Sequence, residues 1–158
     1  MYYLQAKLLK CIHPCPKGIV KTVSTSSTEH HLVDLTRQLL TAIDMGDWTG
    51  YRELVADDLS CFEPEARGQL VKSLKFHEFY FSLSSGRPTS PAQVETTLIS
   101  PKVRILSEDS AVVTFVRLVQ RVDGAGRPVT NCHEETRIWQ RISGRWKHVH
   151  FHRSVPTS

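Results

Sequence analysis

No stretch of this 158-residue sequence approaches the ~18–20 consecutive apolar residues that span a bilayer, so no transmembrane helix is expected. It has no Gly-rich phosphate loop, no His-Glu-x-x-His pair and no Gly-x-Ser-x-Gly elbow, so three common catalytic signatures are missing. Cysteine is sparse: Cys11, Cys15, Cys61 and Cys132 lack the dense spacing of a secreted disulfide scaffold, and a reducing compartment is the simpler reading. No internal repeat is visible. Acidic residues are absent from positions 1–28, which carry Lys7, Lys10, Lys17 and Lys21 but no arginine. The formal charge of +4 therefore sits entirely in that leader, and the sixteen remaining basic residues match all sixteen acidic ones. A neutral folded part gives no case for a nucleic-acid partner.

What is present fits one domain with a short extension, at ordinary apolar and charged fractions of 40% and 23%. Residues 1–28, with Pro14, Pro16 and a Ser/Thr cluster, read as a flexible basic leader or as an organelle-targeting segment; otherwise a cytoplasmic location is expected. Residues 29–154 form the expected domain and 155–158 a tail.

Ser26-Ser27-Thr28-Glu29 has capping-box spacing ahead of Leu32, Leu35, Leu39, Ala42 and Ile43, which recur at helical intervals. Gly46 ends that helix, and Asp47 is placed to cap a second one through Trp48, Tyr51, Leu54 and Val55. A short strand is expected near Ser60–Glu63, then a third helix carrying Leu70, Val71, Leu74, Phe79 and Leu83. From Gln93 the period changes to two, predicting strands near Gln93–Leu106, Ala111–Val122, Val129–Ile142 and Trp146–Arg153. Turns are expected at Ser107–Ser110, Asp123–Gly126 and Ser143–Arg145. Helices followed by hairpin-linked strands indicate an α+β layer fold with an antiparallel sheet.

Strand alternation puts Arg117 on the face of Ala111, Val113 and Phe115, Arg137 on the face of Glu135 and Trp139, and Arg153 on the face of Val149 and Phe151. A buried guanidinium needs a partner, and three of them exceed the single neighbour Glu135. Either the surplus charge grips a carboxylate or phosphate in a pocket, or twist and local pairing remove it. His148, His150 and His152 share the opposite face by the same alternation. Nothing else supplies an acidic or thiolate ligand there, so no metal and no cofactor is expected. His77, between Phe76 and Phe79, is a core histidine or a pocket donor.

Four ordered motifs carry a resemblance: Cys61-Phe62-Glu63-Pro64-Glu65-Ala66, Phe76-His77-Glu78-Phe79-Tyr80-Phe81, Glu134-Glu135-Thr136-Arg137-Ile138-Trp139 and His148-Val149-His150-Phe151-His152-Arg153-Ser154. From about His31 to Ser154 the chain resembles the association (hub) domain of calcium/calmodulin-dependent protein kinase II. The resemblance implies a cone-shaped, nuclear-transport-factor-like fold, with a long helix in a strongly curved sheet. It implies homo-oligomers closing into two stacked rings of about twelve or more subunits, and pocket residues at Arg117, Arg137, Arg153 and His77 that hold a small carboxylate.

This chain departs from the family by lacking a kinase domain and calmodulin-binding segment before the hub, so a stand-alone homologue is expected, with any kinase acting in trans. It also has Ser82–Pro91, without tryptophan, where the family carries a tryptophan-bearing loop. The expected function is a non-enzymatic oligomerisation scaffold with an anion pocket. The alternatives are an isomerase-, dehydratase- or cyclase-type enzyme using the same cavity, and a carboxylate-sensing module.

Overall fold

A computed structural model describes residues 25–84 and 94–156. The leader with its Cys11-x-His13-x-Cys15 pattern, and most of the Ser82–Pro91 loop, lie outside the described residues.

Helix α1 (Thr25–Asp44) buries Leu32, Thr36, Leu39 and Leu40, a stripe at i, i+4, i+7, i+8, and Ala42 beyond them. Thr36 is tolerated inside it because its hydroxyl donates to the Leu32 carbonyl at 2.8 Å. The Ser26–Glu29 capping box does not open this helix, which is already formed at Thr25; the Ser26 carbonyl instead accepts from His30 Nδ1 at 2.7 Å. At the other end, Gly46 adopts φ 65°. Asp47 N–H donates to the Ala42 carbonyl at 2.8 Å and Gly46 N–H to that of Ile43 at 3.2 Å, the paired closure of a Schellman motif. Asp47 Oδ1 then accepts from Gly50 N–H at 2.9 Å and starts helix α2 (Trp48–Leu54).

Strand β1 (Val55–Phe62) is longer than the Ser60–Glu63 segment expected, and a 3₁₀ turn follows at Pro64–Ala66. Helix α3 (Leu74–Ser84) starts later than the sequence pattern indicates. Val71 is instead tied to β1: Val71 and Cys61 exchange both backbone hydrogen bonds at 3.0 Å. This bridge uses the donors that a helix would need, which excludes Leu70 and Val71 from α3.

Strands β2 (Val94–Ser107), β3 (Ser110–Val122), β4 (Pro128–Ile142) and β5 (Arg145–Ser154) form an antiparallel meander. Its turns use the expected chemistry. Ser143 and Gly144 both have positive φ, as a two-residue hairpin turn requires, and Asp123 Oδ1 accepts from the N–H groups of Ala125 and Arg127 at 2.9 Å.

The order across the sheet is β1-β5-β4-β3-β2, and β1 pairs with β5 in parallel. The sheet is therefore mixed, not purely antiparallel. Alternation reports which face a residue occupies but carries nothing about strand direction, so this correction lay beyond it. Register shifts bend the sheet, including one in β2 between Ile99 and Lys102 around Ser100, at φ 48°. The concave side encloses Leu32, Leu39, Tyr51, Leu59, Val113, Phe115, Trp139 and Phe151 as one apolar cluster, with α1 against β2 and α3 against β1.

Candidate functional site

Inside this curved sheet lies a cavity of about 260 Å³, lined on one side by Arg117, Arg137, Phe151 and Arg153 and on the other by Tyr51, Glu63, Glu65, His77, Tyr80 and Phe81. Arg117 reaches it from β3, Arg137 from β4 and Arg153 from β5, in adjacent paired strands: Glu135 stands opposite both Phe115 and Arg153, and Arg137 opposite Val113 and Phe151. The four residues singled out from sequence thus meet at one cavity. A wider depression of about 530 Å³ between α1 and β2 is lined by none of Arg117, Arg137, Arg153 and His77.

The arginines are not in surplus. Arg117 Nη2 donates to Asp44 Oδ1 at 2.6 Å, and its Nη1 lies 3.8 Å from Glu135 Oε1. Arg137 donates to Glu135 Oε2 through Nε at 2.8 Å and Nη2 at 2.5 Å. Arg153 Nη2 donates to Glu63 Oε2 at 3.0 Å and also to Glu65. Four carboxylates therefore answer three guanidinium groups, which corrects the expectation that Glu135 alone is available. Glu63 was findable, because Leu59 and Cys61 are buried on β1 and the period of two carries that side on to Glu63. Asp44 is the last residue of α1, and the Arg117 charge there also offsets the negative end of that helix's dipole.

Burial alone pushes the Glu63 carboxyl up, but hydrogen bonds from His77 and Arg153 outweigh it and hold the group below its ordinary range. Burial lowers the pKa of Arg117, and Glu135 and Asp44 work against it. Burial pushes the Tyr51 hydroxyl well above its usual value, so it is a neutral donor. Arg137 lies over the Phe151 ring at 4.9 Å, a cation–π contact that fixes its plane. Arg117 Nε and His77 Nδ1 are buried with no hydrogen-bond partner among the described residues, leaving polar capacity at the cavity.

The three histidines of β5 do not share a face. Trp139 pairs with His148 and Ile138 with His150, so Val149 is an extra residue that turns His148 inward. His148 is fully buried, stacked on Phe151 at 5.5 Å, with Nε2 at 3.4 Å from Arg137 Nη1. Burial, then the Arg137 charge, hold its pKa well below the usual range, so it is neutral. His150 pairs with Ser60 Oγ at 2.8 Å, and the exposed His152 lies near Phe62. The bulge has no sequence signal, which is why His148 was misplaced.

A long helix cradled in a curled mixed sheet, with a polar cavity in the concavity, defines the nuclear-transport-factor-like cone fold. An NTF2-like protein of unknown function in nutrient uptake from Rhodospirillum rubrum shares it at 27% identity and TM-score 0.61, over 80% of this chain and 98% of that one. Within that class the family is specific. The family model for the calcium/calmodulin dependent protein kinase II association domain matches residues 28–157, and the chain belongs to that family. The rabbit (Oryctolagus cuniculus) calcium/calmodulin-dependent protein kinase type II subunit delta is 38% identical over 135 residues, which cover 85% of this chain and 25% of the relative. The hub homology domain from Chlamydomonas reinhardtii is 40% identical with TM-score 0.76, over 83% of this chain and 99% of that one. The chain thus spans about a quarter of the length of the curated relatives it matches.

Proposed function

We propose that the protein is a self-associating scaffold: a homo-oligomeric hub whose subunits close into a ring assembly, two stacked rings of about twelve or more by resemblance to its family. The carrying observation is membership of the association-domain family over residues 28–157. Surface composition supports it. Phe79 and Leu83 on α3 are 58% and 59% exposed, and Leu106, Val122 and Ile142 are exposed on the sheet. Phe79 and Leu83 lie four residues apart on one side of α3, and exposed apolar groups gathered on one helix face mark an interaction surface. Light scattering on the full chain tests this: a mass many times 18.0 kDa supports the scaffold, and a monomer refutes it.

The cavity is proposed to bind a small carboxylate or other anion through Arg117, Arg137, Arg153 and His77. Because these guanidinium groups are already matched, the ligand must take the place of a resident carboxylate. Glu65 is the candidate, since it is the most exposed of the four and shares Arg153 with Glu63. In thermal melts, butyrate should raise Tm above chloride at equal ionic strength. A tenfold excess over Kd corresponds to about 1.4 kcal/mol. Arg153→Gln should remove the rise, and no rise in the parent protein refutes the site.

A non-catalytic role fits the cavity's chemistry better than the enzyme reading. A general base needs a pKa near working pH, whereas Glu63 is held low and Glu135 is committed to Arg137. Self-association requires no partner but the chain itself, and a kinase bound in trans is the additional partner the family suggests. A reducing, cytoplasmic setting suits the free thiols of Cys61 and Cys132. No helix among the described residues is long and apolar enough to cross a membrane.

A further inference from the structure

We propose that Cys61, Glu63 and His77 form a site for one tetrahedral transition-metal ion of the Zn²⁺ class, with its fourth position facing the cavity. The three donor atoms form a compact triangle. Cys61 Sγ lies 3.6 Å from His77 Nε2 and 3.6 Å from Glu63 Oε1, and His77 Nε2 lies 3.3 Å from Glu63 Oε1. Ideal tetrahedral zinc has bonds of about 2.3 Å to sulfur and about 2.0–2.2 Å to nitrogen and oxygen. Those bonds put nitrogen and oxygen about 3.3–3.4 Å apart, and sulfur about 3.5–3.6 Å from either. The observed triangle has these edges, so an ion seated above it needs little side-chain movement.

Each donor is held by rigid structure. Cys61 is fixed on both sides, by pairing with Phe151 of β5 and by its two backbone bonds to Val71. Glu63 follows two residues later, on the same side of the chain. His77 is held among the rings of Tyr51, Phe76 and Phe151, with centroids 5.7–6.0 Å away. Glu63 also divides its work as a metal-binding carboxylate does: Oε1 faces the thiol and imidazole, while Oε2 is anchored by Arg153. Glu63 and His77 line the cavity, from which a water or a small carboxylate can complete the coordination.

The ligand set selects the metal class. One thiolate, one imidazole and one carboxylate favour Zn²⁺ or Co²⁺ over the oxygen-seeking Mg²⁺ and Ca²⁺. On binding, the Cys61 S–H bond breaks, its proton leaves to solvent and a sulfur–metal bond forms; the imidazole proton moves to Nδ1 as Nε2 becomes a ligand. Thiolate and carboxylate together neutralise the divalent charge. The site shares His77 with the proposed anion pocket, but its thiol and carboxylate donors, Cys61 and Glu63, are not among that pocket's anion-binding residues.

Cobalt titration of the reduced full chain tests the proposal. One Co²⁺ per chain should produce a thiolate-to-cobalt charge-transfer band and intense tetrahedral ligand-field absorption, both displaced by Zn²⁺. Cys61→Ser should abolish the charge-transfer band, and the Cys11→Ser/Cys15→Ser double variant should retain it. Absence of the band in the parent protein, or its survival in Cys61→Ser, overturns the site. Should Cys61→Ser not fold, His77→Gln decides instead: at least a tenfold loss of Co²⁺ affinity supports the site, and unchanged affinity overturns it. Butyrate stabilisation that persists when the cobalt band is absent would separate failure here from failure of the anion pocket.

Discussion

Removing Glu135 should cost far more stability than removing any other carboxylate of the cluster. The Glu135 side chain is fully buried and that of Arg137 is 2% exposed, and both Arg137 hydrogen bonds to this carboxylate end on Oε2. Arg137 has no second carboxylate among the described ion pairs, whereas Arg117 retains Asp44. Two unit charges about 4 Å apart at an effective dielectric near 20 attract by about 4 kcal/mol. Breaking a buried pair from one side costs about 3–5 kcal/mol for the same reason. Glu135→Leu should therefore lose about 4 kcal/mol. At a urea m-value near 2 kcal/mol/M, that moves the unfolding midpoint down by about 2 M. Protomer concentration must be held fixed, because assembly adds to apparent stability. The partner test is Glu135→Leu with Arg137→Met, which removes both charges and should recover most of the loss. A single variant costing under about 1 kcal/mol, or a double variant no better than the single, would show that the pair is not the buried charge contact argued above.

Two further outcomes follow from local features. His148 has a depressed pKa in the folded state, so the unfolded chain binds its proton more readily. Its contribution is present above about pH 6.5, the unfolded value, and is lost as pH falls toward the folded one. Urea midpoints should therefore fall between about pH 7 and 5, and His148→Phe should flatten the fall; an unchanged slope refutes the assignment. Gly46→Ala forces a side chain into the left-handed conformation that closes α1, and should cost about 1–2 kcal/mol by urea unfolding. A neutral result would mean that the Schellman closure does not need glycine.

The α+β class and the boundaries of the four meander strands were legible because period-two alternation and turn residues agree there. The inward placement of Arg117 and Arg137 followed from the same alternation. Where the backbone leaves strict periodicity, the reading fails. The extra residue at Val149 inverts His148, and the Cys61–Val71 bridge removes a turn from the expected third helix. Parallel pairing of β1 with β5 depends on contacts between segments about ninety positions apart, which no local pattern encodes. The charge balance was missed because Asp44, at the end of α1, and Glu63 and Glu65, just after β1, come from two other segments, and only folding brings them to the arginines.

Self-association is the central claim, and native mass spectrometry of the full chain tests it most directly. A single closed species of about ten or more subunits is predicted, its mass an integral multiple of the protomer. A monomer or plain dimer across the concentration range would contradict the scaffold and bring the enzyme reading of the cavity forward.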